Sequence, residues 1–310
     1  MELIISAASY VILVVLVLVS VAFVTLMEQK VLAGAQLRAG PNQVGYWGIL
    51  QSFADAVKLI GKETVKTRVM NSWVYYVSPG GGLMLAVVLW LVYPYEEGGV
   101  DMVYGVLFFM AVSGLSVYPI LTSGWASNCK YSMLGSLRAV AQMVSYEVSL
   151  GMILLSLVWV SGSFSFRGVM EGQCLVWNGF FCSPLGCVWF VSALAETNRT
   201  PYDFSEGESE LVSGFNTEYG SGGFTAIFVA EYASILLMSV LFSCLFLSGG
   251  FSWGAVVKGV MVSFVFVWVR ATLPRYRYDK LMGLAWKSFL PVSLLLFMYY
   301  LGVTAGGLVL

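Results

Sequence analysis

Acidic side chains concentrate in one polar segment, residues 195–223, which separates two strongly apolar stretches. The segment contains one cation, Arg199, and six carboxylates: Glu196, Asp203, Glu206, Glu208, Glu210 and Glu218. Crowding and partial burial raise carboxylate pKa values towards neutrality, where such groups exchange protons readily. The segment is therefore a candidate proton path, although a solvated loop with Arg199 as its local counter-ion would carry the same charges.

Two further carboxylates, Glu147 and Glu231, lie well inside apolar stretches on either side of that segment. An acid near the centre of a bilayer costs about 2.5 kcal/mol or more, and such acids tend to mark ion or proton routes. The alternative is a structural acid paired with a basic residue. We expect no basic residue in the middle of any membrane span, although Arg138 stands at the start of the Glu147 helix. The pattern therefore favours protonatable relay groups.

The residue types that are missing narrow the chemistry further. The chain contains no histidine, which excludes His-ligated haem, zinc and copper and removes histidine acid–base catalysis. Its five cysteines form no C-x-x-C pair and are interpreted as small apolar residues. Neither a dinucleotide-binding motif nor a Walker A motif is present. Proton chemistry must therefore run through carboxylates, tyrosine, lysine and water.

The elements that must hold these acids are long and apolar. Of the 310 residues, 59% are hydrophobic and 11% charged, with a mean hydropathy of +0.83. Charge-poor runs of about 20 residues, the length of a membrane-spanning helix, recur eight times: 3–26, 71–93, 102–123, 137–160, 175–195, 223–247, 253–272 and 287–308. Pro184 and Gly186 interrupt the fifth. We predict an all-α polytopic membrane protein, a single integral membrane domain over residues 1–310 with eight transmembrane helices.

A shorter amphipathic helix is predicted at about residues 49–62. It is too short to span a membrane, and its two-faced pattern suits a helix that lies in the interface. Its apolar face holds Ile49, Phe53, Ala56, Val57 and Ile60.

The distribution of positive charge predicts the topology. Of the 16 lysines and arginines, all but Arg167 and Lys258 fall on the face that also carries the 195–223 connection. By the positive-inside rule this is the cytoplasmic or matrix face, and both termini lie on the opposite side. The basic clusters on this face suit either lipid headgroups or a soluble partner. The aromatic residues suit interfacial belts or the walls of a site for a flat apolar ligand such as a quinone.

Several segments resemble one family of membrane proteins, in the same order along the chain. The most specific is AETNRTPYDFSEGESELVSGFNTEYGSGGF at 195–224; the others are EQKVLAGAQLRAGPNQVG (28–45), SFADAVKLIGKE (52–63), GWASNCKYSMLGSLRAVAQMVSYEVSL (124–150), AEYASIL (230–236) and RATLPRYRYDKLMGLAWK (270–287). They are similar to the subunit 1 family of NADH dehydrogenase, the membrane subunit of respiratory complex I that helps to form its quinone site. The length looks mitochondrial.

The resemblance implies a core subunit of a proton-pumping NADH:ubiquinone oxidoreductase in the mitochondrial inner membrane. Ubiquinone would be its substrate, entering near the first span, the interfacial helix and the sixth span. The implied quinone-binding residues are Gln36, Arg38, Phe53, Arg199, Asp203 and Phe224. The implied proton path comprises Glu147, Glu196, Asp203, Glu206, Glu210 and Glu231. One departure stands at Gln29, where the family usually has arginine.

The same resemblance implies that the chain itself holds no metal, haem, flavin or iron–sulfur cluster. Electrons would come from a neighbouring subunit. The expected partners are the other membrane-arm and peripheral-arm subunits of complex I, ubiquinone and membrane lipid, with no nucleic acid.

Two other functions compete with this one. The related membrane subunit of energy-converting hydrogenases lacks a quinone substrate, and the RTPYDFSEGESEL segment at 199–211 argues against it. A secondary proton-coupled transporter would be built from inverted repeats and broken helix pairs, and the sequence shows neither.

Overall fold

The computed structural model describes residues 2–64, 68–95, 102–174, 176–205, 207, 212–250 and 253–306, with side chains from Ser6 onward. Within these ranges every regular element is helical. The α-helices are α1 (Glu2–Ala35), α2 (Gln51–Ile60), α3 (Ser72–Leu89), α4 (Gly105–Leu115), α5 (Val117–Ala126), α6 (Lys130–Ser161), α7 (Phe166–Glu171), α8 (Asn178–Phe181), α9 (Ser183–Glu196), α10 (Ser221–Phe242), α11 (Trp253–Thr272), α12 (Tyr278–Leu284) and α13 (Leu290–Ala305). The predicted all-α polytopic fold is confirmed.

Seven helical segments in the described ranges are long and apolar enough to cross a membrane. They are Ser6–Ala35, Ser72–Val92, Gly105–Ala126, Lys130–Ser161, Ser221–Leu247, Trp253–Thr272 and Tyr278–Ala305. The expected fifth span, 175–195, instead forms the short α8 and the 14-residue α9. At about 1.5 Å per residue, α9 alone falls short of a hydrocarbon layer of about 30 Å. The predicted count of eight spans is therefore not confirmed.

The break in that fifth segment has a local cause. Cys182 leaves the helical conformation between α8 and α9, and Pro184 stands in the first turn of α9. Proline lacks the N–H that a continuous helix would need there, so it starts a helix but does not continue one. Pro184 thus marks the start of a helix. The average hydropathy of residues 175–195 does not reveal that start.

The core of the protein is centred on α6, α9 and α10. Tyr146 of α6 and Trp189 of α9 are completely buried, and Phe246 packs against Trp189 just beyond α10. Serine side chains within these helices donate to carbonyl groups one turn earlier, as Ser149 does to Tyr146. Small residues of this kind allow membrane helices to approach closely. The most central helix, α6, is also the one that carries Glu147.

The predicted amphipathic helix is present as α2, which packs against α1 and α10. Its Phe53 ring lies edge-on to the Phe23 ring of α1, with centroids 6.0 Å apart. Gln51 donates a hydrogen bond to Asp55 on the polar face at 3.0 Å. Exposed apolar residues form the other face: Ile49, Phe53, Ala56, Val57 and Ile60. The surface is one that lipid would cover, and its location in the membrane interface stays a prediction.

A loop fixes where α2 begins. Gly48 has a φ of 74°, and a Cβ atom there would collide with the carbonyl of Pro41, so only glycine allows this turn. The Nζ atom of Lys30, near the end of α1, donates a hydrogen bond to the carbonyl oxygen of Trp47 at 2.7 Å. The loop is thereby tied back to α1.

A π-helical turn, Ser243–Leu247, continues α10 at the end remote from the acidic connection. Side chains from other segments satisfy three of its carbonyl groups. The hydrogen bonds, at 2.6–3.1 Å, run from Gln173 to Cys244, from Asn178 to Leu245 and from Lys258 to Leu247. Each unsatisfied backbone group would cost several kcal/mol in a lipid environment, so these contacts stabilise that end of the bundle.

Candidate functional site

The first part of the connection between α9 and α10 is tied to α6 by an amide side chain. The side chain of Gln142 is completely buried, and its Nε2 atom donates hydrogen bonds to the carbonyl oxygens of Ala195 and Tyr202, both at 2.8 Å. These two carbonyls bracket the first part of the connection. Since Gln142 belongs to the same helix as Glu147, the acidic connection and that glutamate share one support.

A second contact holds the connection to the segment before α12. The backbone N–H of Tyr276 donates to the carbonyl oxygen of Pro201 at 3.1 Å, and the Arg275 side chain donates to the carbonyl oxygen of Asp203. The rings of Tyr202 and Tyr276 lie 5.6 Å apart. Burial, together with the nearby Tyr276, raises the pKa of Tyr202 to about 12. The Tyr202 hydroxyl therefore stays protonated in the physiological pH range, and the ring acts as a packing surface.

A buried cluster of charged side chains joins this connection to α1, α10 and α11. At its centre is Arg199, whose side chain is 11% exposed. Its Nη1 atom lies 3.9 Å from Oε1 of Glu28, and its Nη2 atom lies 3.9 Å from Oε2 of Glu231. Arg270 of α11 makes an ion pair with the same oxygen of Glu28. The guanidinium carbon of Arg199 lies 4.4 Å from the ring centre of Tyr232.

We name these four charged residues, Glu28, Arg199, Glu231 and Arg270, the charge cluster. It contains two acids and two cations, which reduces the cost of holding charge inside an apolar protein. The sequence places no basic residue in the middle of the span that holds Glu231, yet a basic residue from outside that span reaches it. Arg199 belongs to the connection in sequence, but its long side chain points back between the helices and reaches that carboxylate.

Sequence reasoning gave Glu28 and Arg270 no role in the site. The sequence did indicate a role for Glu28. This acid lies near the end of an apolar helical segment of 30 residues, where an acid must be paired or solvated. Its partner Arg270 looked like a topology charge at the end of α11. Only the folded chain brings the two together.

A cavity of about 120 Å³ opens beside the charge cluster, enough for several water molecules. Glu196 and Glu231 both contribute to its wall. Hydroxyl groups contribute from five different parts of the chain: Ser78, Ser113, Ser116, Ser123, Thr197 and Ser234. The remaining wall is largely apolar, with Leu89 and Phe109 among its residues. The cavity thus places two carboxylates and several hydroxyl groups around one volume.

Two polar atoms at this cavity have no hydrogen-bond partner among the described residues. They are Oε2 of Glu196 and Oδ1 of Asn198, both shielded from solvent. A buried polar atom without a partner is costly and commonly marks an ordered water or a ligand. Water in the cavity would satisfy both.

Glu147 lies between α6 and α4, against Gly114. A Cβ atom at Gly114 would stand 2.7 Å from Oε1 of Glu147. Burial, together with the negative charge of Glu147, raises the pKa of Glu196. The structure therefore places two predicted proton-path residues, Glu196 and Glu231, at one cavity. The third, Glu147, contacts Gly114 of α4 and influences the pKa of Glu196.

The far end of the connection is anchored by two stacked tyrosines. The rings of Tyr75 and Tyr219 lie parallel, 4.3 Å apart. The hydroxyl of Tyr75 donates to the carbonyl oxygen of Glu218 at 2.6 Å, and that of Tyr219 lies 3.0 Å from the hydroxyl of Ser78. Ser78 also lines the cavity. The connection is therefore bound to the helical bundle near its end as well as near its start.

The predicted quinone-binding residues fall into two groups. Arg199 and Asp203 lie in the anchored connection, as described above. Four residues lie elsewhere: Gln36 and Arg38 exposed beyond the end of α1, Phe53 on α2, and Phe224 near the start of α10, 4.3 Å from the Phe228 ring. Glu206 and Glu210, predicted for the proton path, and Glu208 lie outside the described residues. Within the described ranges, no group of three or more Cys, Asp and Glu residues could hold a metal ion.

Comparison with known proteins gives consistent matches along the chain. A family model described as NADH dehydrogenase matches residues 8–301. The chain is 52% identical over 304 residues to NADH-ubiquinone oxidoreductase chain 1 of Aedes aegypti, covering 98% of this chain and 97% of the relative. The protein of the same name from Branchiostoma lanceolatum is 53% identical over 283 residues, covering 91% and 90%. That from Oncorhynchus mykiss is 49% identical over 295 residues, covering 93% and 91%.

Proposed function

Since the chain belongs to the NADH dehydrogenase family and is a membrane subunit of NADH:ubiquinone oxidoreductase, respiratory complex I, we propose that it forms the quinone entrance and tunnel of that enzyme and the acidic path that couples quinone reduction to proton translocation. The observation that supports this proposal is the cavity that Glu196 and Glu231 share. Water in such a cavity would let carboxylates exchange protons.

The entrance is assigned to the surface formed by α1 and α2. The contact between Phe23 and Phe53 joins a membrane helix to the amphipathic helix, and both rings are partly exposed. An isoprenoid tail is apolar and would lie against such a surface, while its quinone ring moves towards the Arg199 region. Phe224, near the start of α10, would belong to the same apolar route.

The chemistry assigned to this chain is the handling of protons. Reduction of a quinone to a quinol takes up two electrons and two protons. We propose no redox centre in this chain, so the electrons come from a neighbouring subunit. Negative charge that develops on the quinone near Arg199 and Asp203 would attract protons, and carboxylates within about 10 Å feel this change at a moderate dielectric. Glu231, Glu196 and Glu147 then pass protons on towards the membrane arm.

We place this multi-pass protein in the mitochondrial inner membrane, with both termini on the intermembrane-space side and the acidic connection on the matrix side. Its partners are the adjacent membrane-arm and peripheral-arm subunits, ubiquinone and membrane lipid.

The test replaces Glu147 or Glu196 by glutamine in the assembled complex, which keeps the shape of the side chain and removes its titration. We expect normal assembly on native gels and normal oxidation of NADH by an artificial acceptor, while coupled quinone reduction falls roughly tenfold or more. The control is Glu171→Gln, because Glu171 is an exposed acid paired with Arg167 at 2.9 Å. Full coupled activity in both assembled variants would refute the proton path.

A further inference from the structure

One glycine of α4 is located where the carboxylate of Glu147 meets that helix. The three heavy atoms nearest to a Cβ built on Gly114 all belong to the Glu147 carboxyl group, at 2.7, 3.5 and 3.5 Å. Protein Cβ atoms are essentially never found 2.7 Å from an oxygen. Any other residue at position 114 would therefore displace the carboxylate from its present place.

The contact differs from that of a glycine that only allows two helices to approach. Gly135 of α6 is such a case, since a Cβ there would meet the backbone of Gly214 and Phe215 at 2.9–3.0 Å. At Gly114 the neighbour is instead the far end of a flexible side chain. Movement of the Glu147 side chain alone could accommodate a methyl group at position 114. The fold therefore does not require glycine there. The present position of the Glu147 carboxylate does require it.

The backbone around Gly114 also connects it to the cavity. Here α4 ends and α5 begins, and the N–H of Ser116 is shared between the carbonyl oxygens of Val112 and Ser113 at 3.1 and 3.0 Å. Ser113 and Ser116, on either side of Gly114 in sequence, both line the cavity that Glu196 and Glu231 line. Gly114 thus follows a residue of the cavity wall in sequence and contacts the Glu147 carboxylate.

We propose that Gly114 is a positioning residue of the proton path, which sets the separation between the carboxyl groups of Glu147 and Glu196 by leaving space for the former. This inference rests on the proposed function of Glu147 as a proton carrier. The interaction between two charges varies inversely with their separation, and proton exchange through water needs a defined spacing of donor and acceptor. A methyl group at position 114 moves Glu147 and changes both.

The experiment uses the assembled complex with three changes: Gly114→Ala, Gly80→Ala and Glu147→Asp. Gly80 of α3 is the matched control, because a Cβ there meets nothing within 4 Å. Glu147→Asp shortens the side chain by one methylene and withdraws the carboxylate from position 114. We expect Gly114→Ala to assemble, to oxidise NADH normally with an artificial acceptor, and to lose coupled quinone reduction about fivefold, with a displaced pH profile. Gly80→Ala keeps the wild-type rate and profile.

The decisive comparison is the double variant. In the Glu147→Asp background the contact is absent, so Gly114→Ala should have no further effect on rate or assembly. The same fractional loss in both backgrounds would overturn the inference, as would a wild-type rate and pH profile in Gly114→Ala. If Gly114→Ala fails to assemble, restored assembly in the double variant supports the contact and continued failure overturns it. Failure of the proposed function is seen separately, as full coupled activity in Glu147→Gln.

Discussion

The Nη2 atom of Arg199 lies 3.9 Å from Oε2 of Glu231, so the cation of the acidic connection pairs with an acid inside a membrane helix. The same guanidinium is 3.9 Å from Glu28 on its other side and lies over the Tyr232 ring. A planar group with several donors can hold all three contacts at once. These contacts tie the connection to α1 and α10.

Arg199→Lys tests that arrangement. A lysine keeps the charge but has a single ammonium group, which cannot lie between two carboxylates and also cover the Tyr232 ring as a guanidinium does. We expect the complex to assemble and its quinone reductase rate to fall roughly tenfold. Arg277→Lys is the control, because the pair of Arg277 with Asp279 is exposed. Wild-type quinone kinetics in Arg199→Lys would contradict the role given to its geometry.

Glu28→Gln tests the charge balance of the cluster. It leaves two cations, Arg199 and Arg270, with one acid, and an unbalanced buried charge costs about 3–5 kcal/mol. Because the Arg270 side chain is 32% exposed, we expect the loss to lie below that range. The measurement is thermal inactivation of the assembled complex.

The control for Glu28→Gln is Asp279→Asn, which breaks an exposed pair worth about 1 kcal/mol or less. The melting temperature should fall clearly in Glu28→Gln and stay within error in Asp279→Asn. Equal thermal stability of Glu28→Gln and wild type would show that the cluster does not stabilise the bundle.

Phe53→Glu tests the entrance. The change introduces a charge on the apolar face of α2 beside Phe23, where an isoprenoid tail would have to pass. We expect ubiquinone reduction to weaken, with a raised KM, while NADH oxidation by an artificial acceptor is retained. Lys62→Glu alters charge beyond the end of the same helix and should leave KM unchanged. Equal loss of both activities in Phe53→Glu would point to misassembly instead of a blocked entrance.

The orientation of the chain can be measured with tags. With eight spans, most of the cations would lie on one face. We therefore expect protease to reach epitopes at either terminus in mitochondria whose outer membrane is ruptured and whose inner membrane is intact. A C-terminal tag that is cut only after the inner membrane is opened would refute this topology. The result also decides whether the short α8–α9 segment crosses the membrane.

The sequence predicted those parts of the fold that depend on hydropathy and periodicity. The long apolar runs became helices, and the amphipathic pattern at 49–62 became α2 at Gln51–Ile60. The segment 175–195 does not form the one long helix that was predicted, because a hydropathy average gives a single proline little weight, whereas the helix breaks at Cys182 and restarts at Pro184. Boundaries set by single residues are thus harder to predict than membrane character.

Within the site, the sequence identified acids but not their partners. Glu196 and Glu231 were predicted from acid density and burial, and they share the cavity. The pairing of Glu28 with Arg270, and of Arg199 with Glu231, joins residues from distant parts of the chain. Such contacts depend on how helices pack and on where a long side chain points, which neither composition nor local spacing determines.

The capped π-helical turn at Ser243–Leu247 has a consequence for the order in which the protein is made. Two of its caps, Gln173 and Asn178, precede the turn in the chain, so both have left the ribosome before the carbonyl groups that they satisfy. The third, Lys258, follows only 11 residues after Leu247. A nascent α10 can therefore insert into a bilayer with its last carbonyls satisfied almost at once. The end of this helix therefore needs no other subunit to become compatible with lipid. The helical bundle can persist in the membrane until its partner subunits bind.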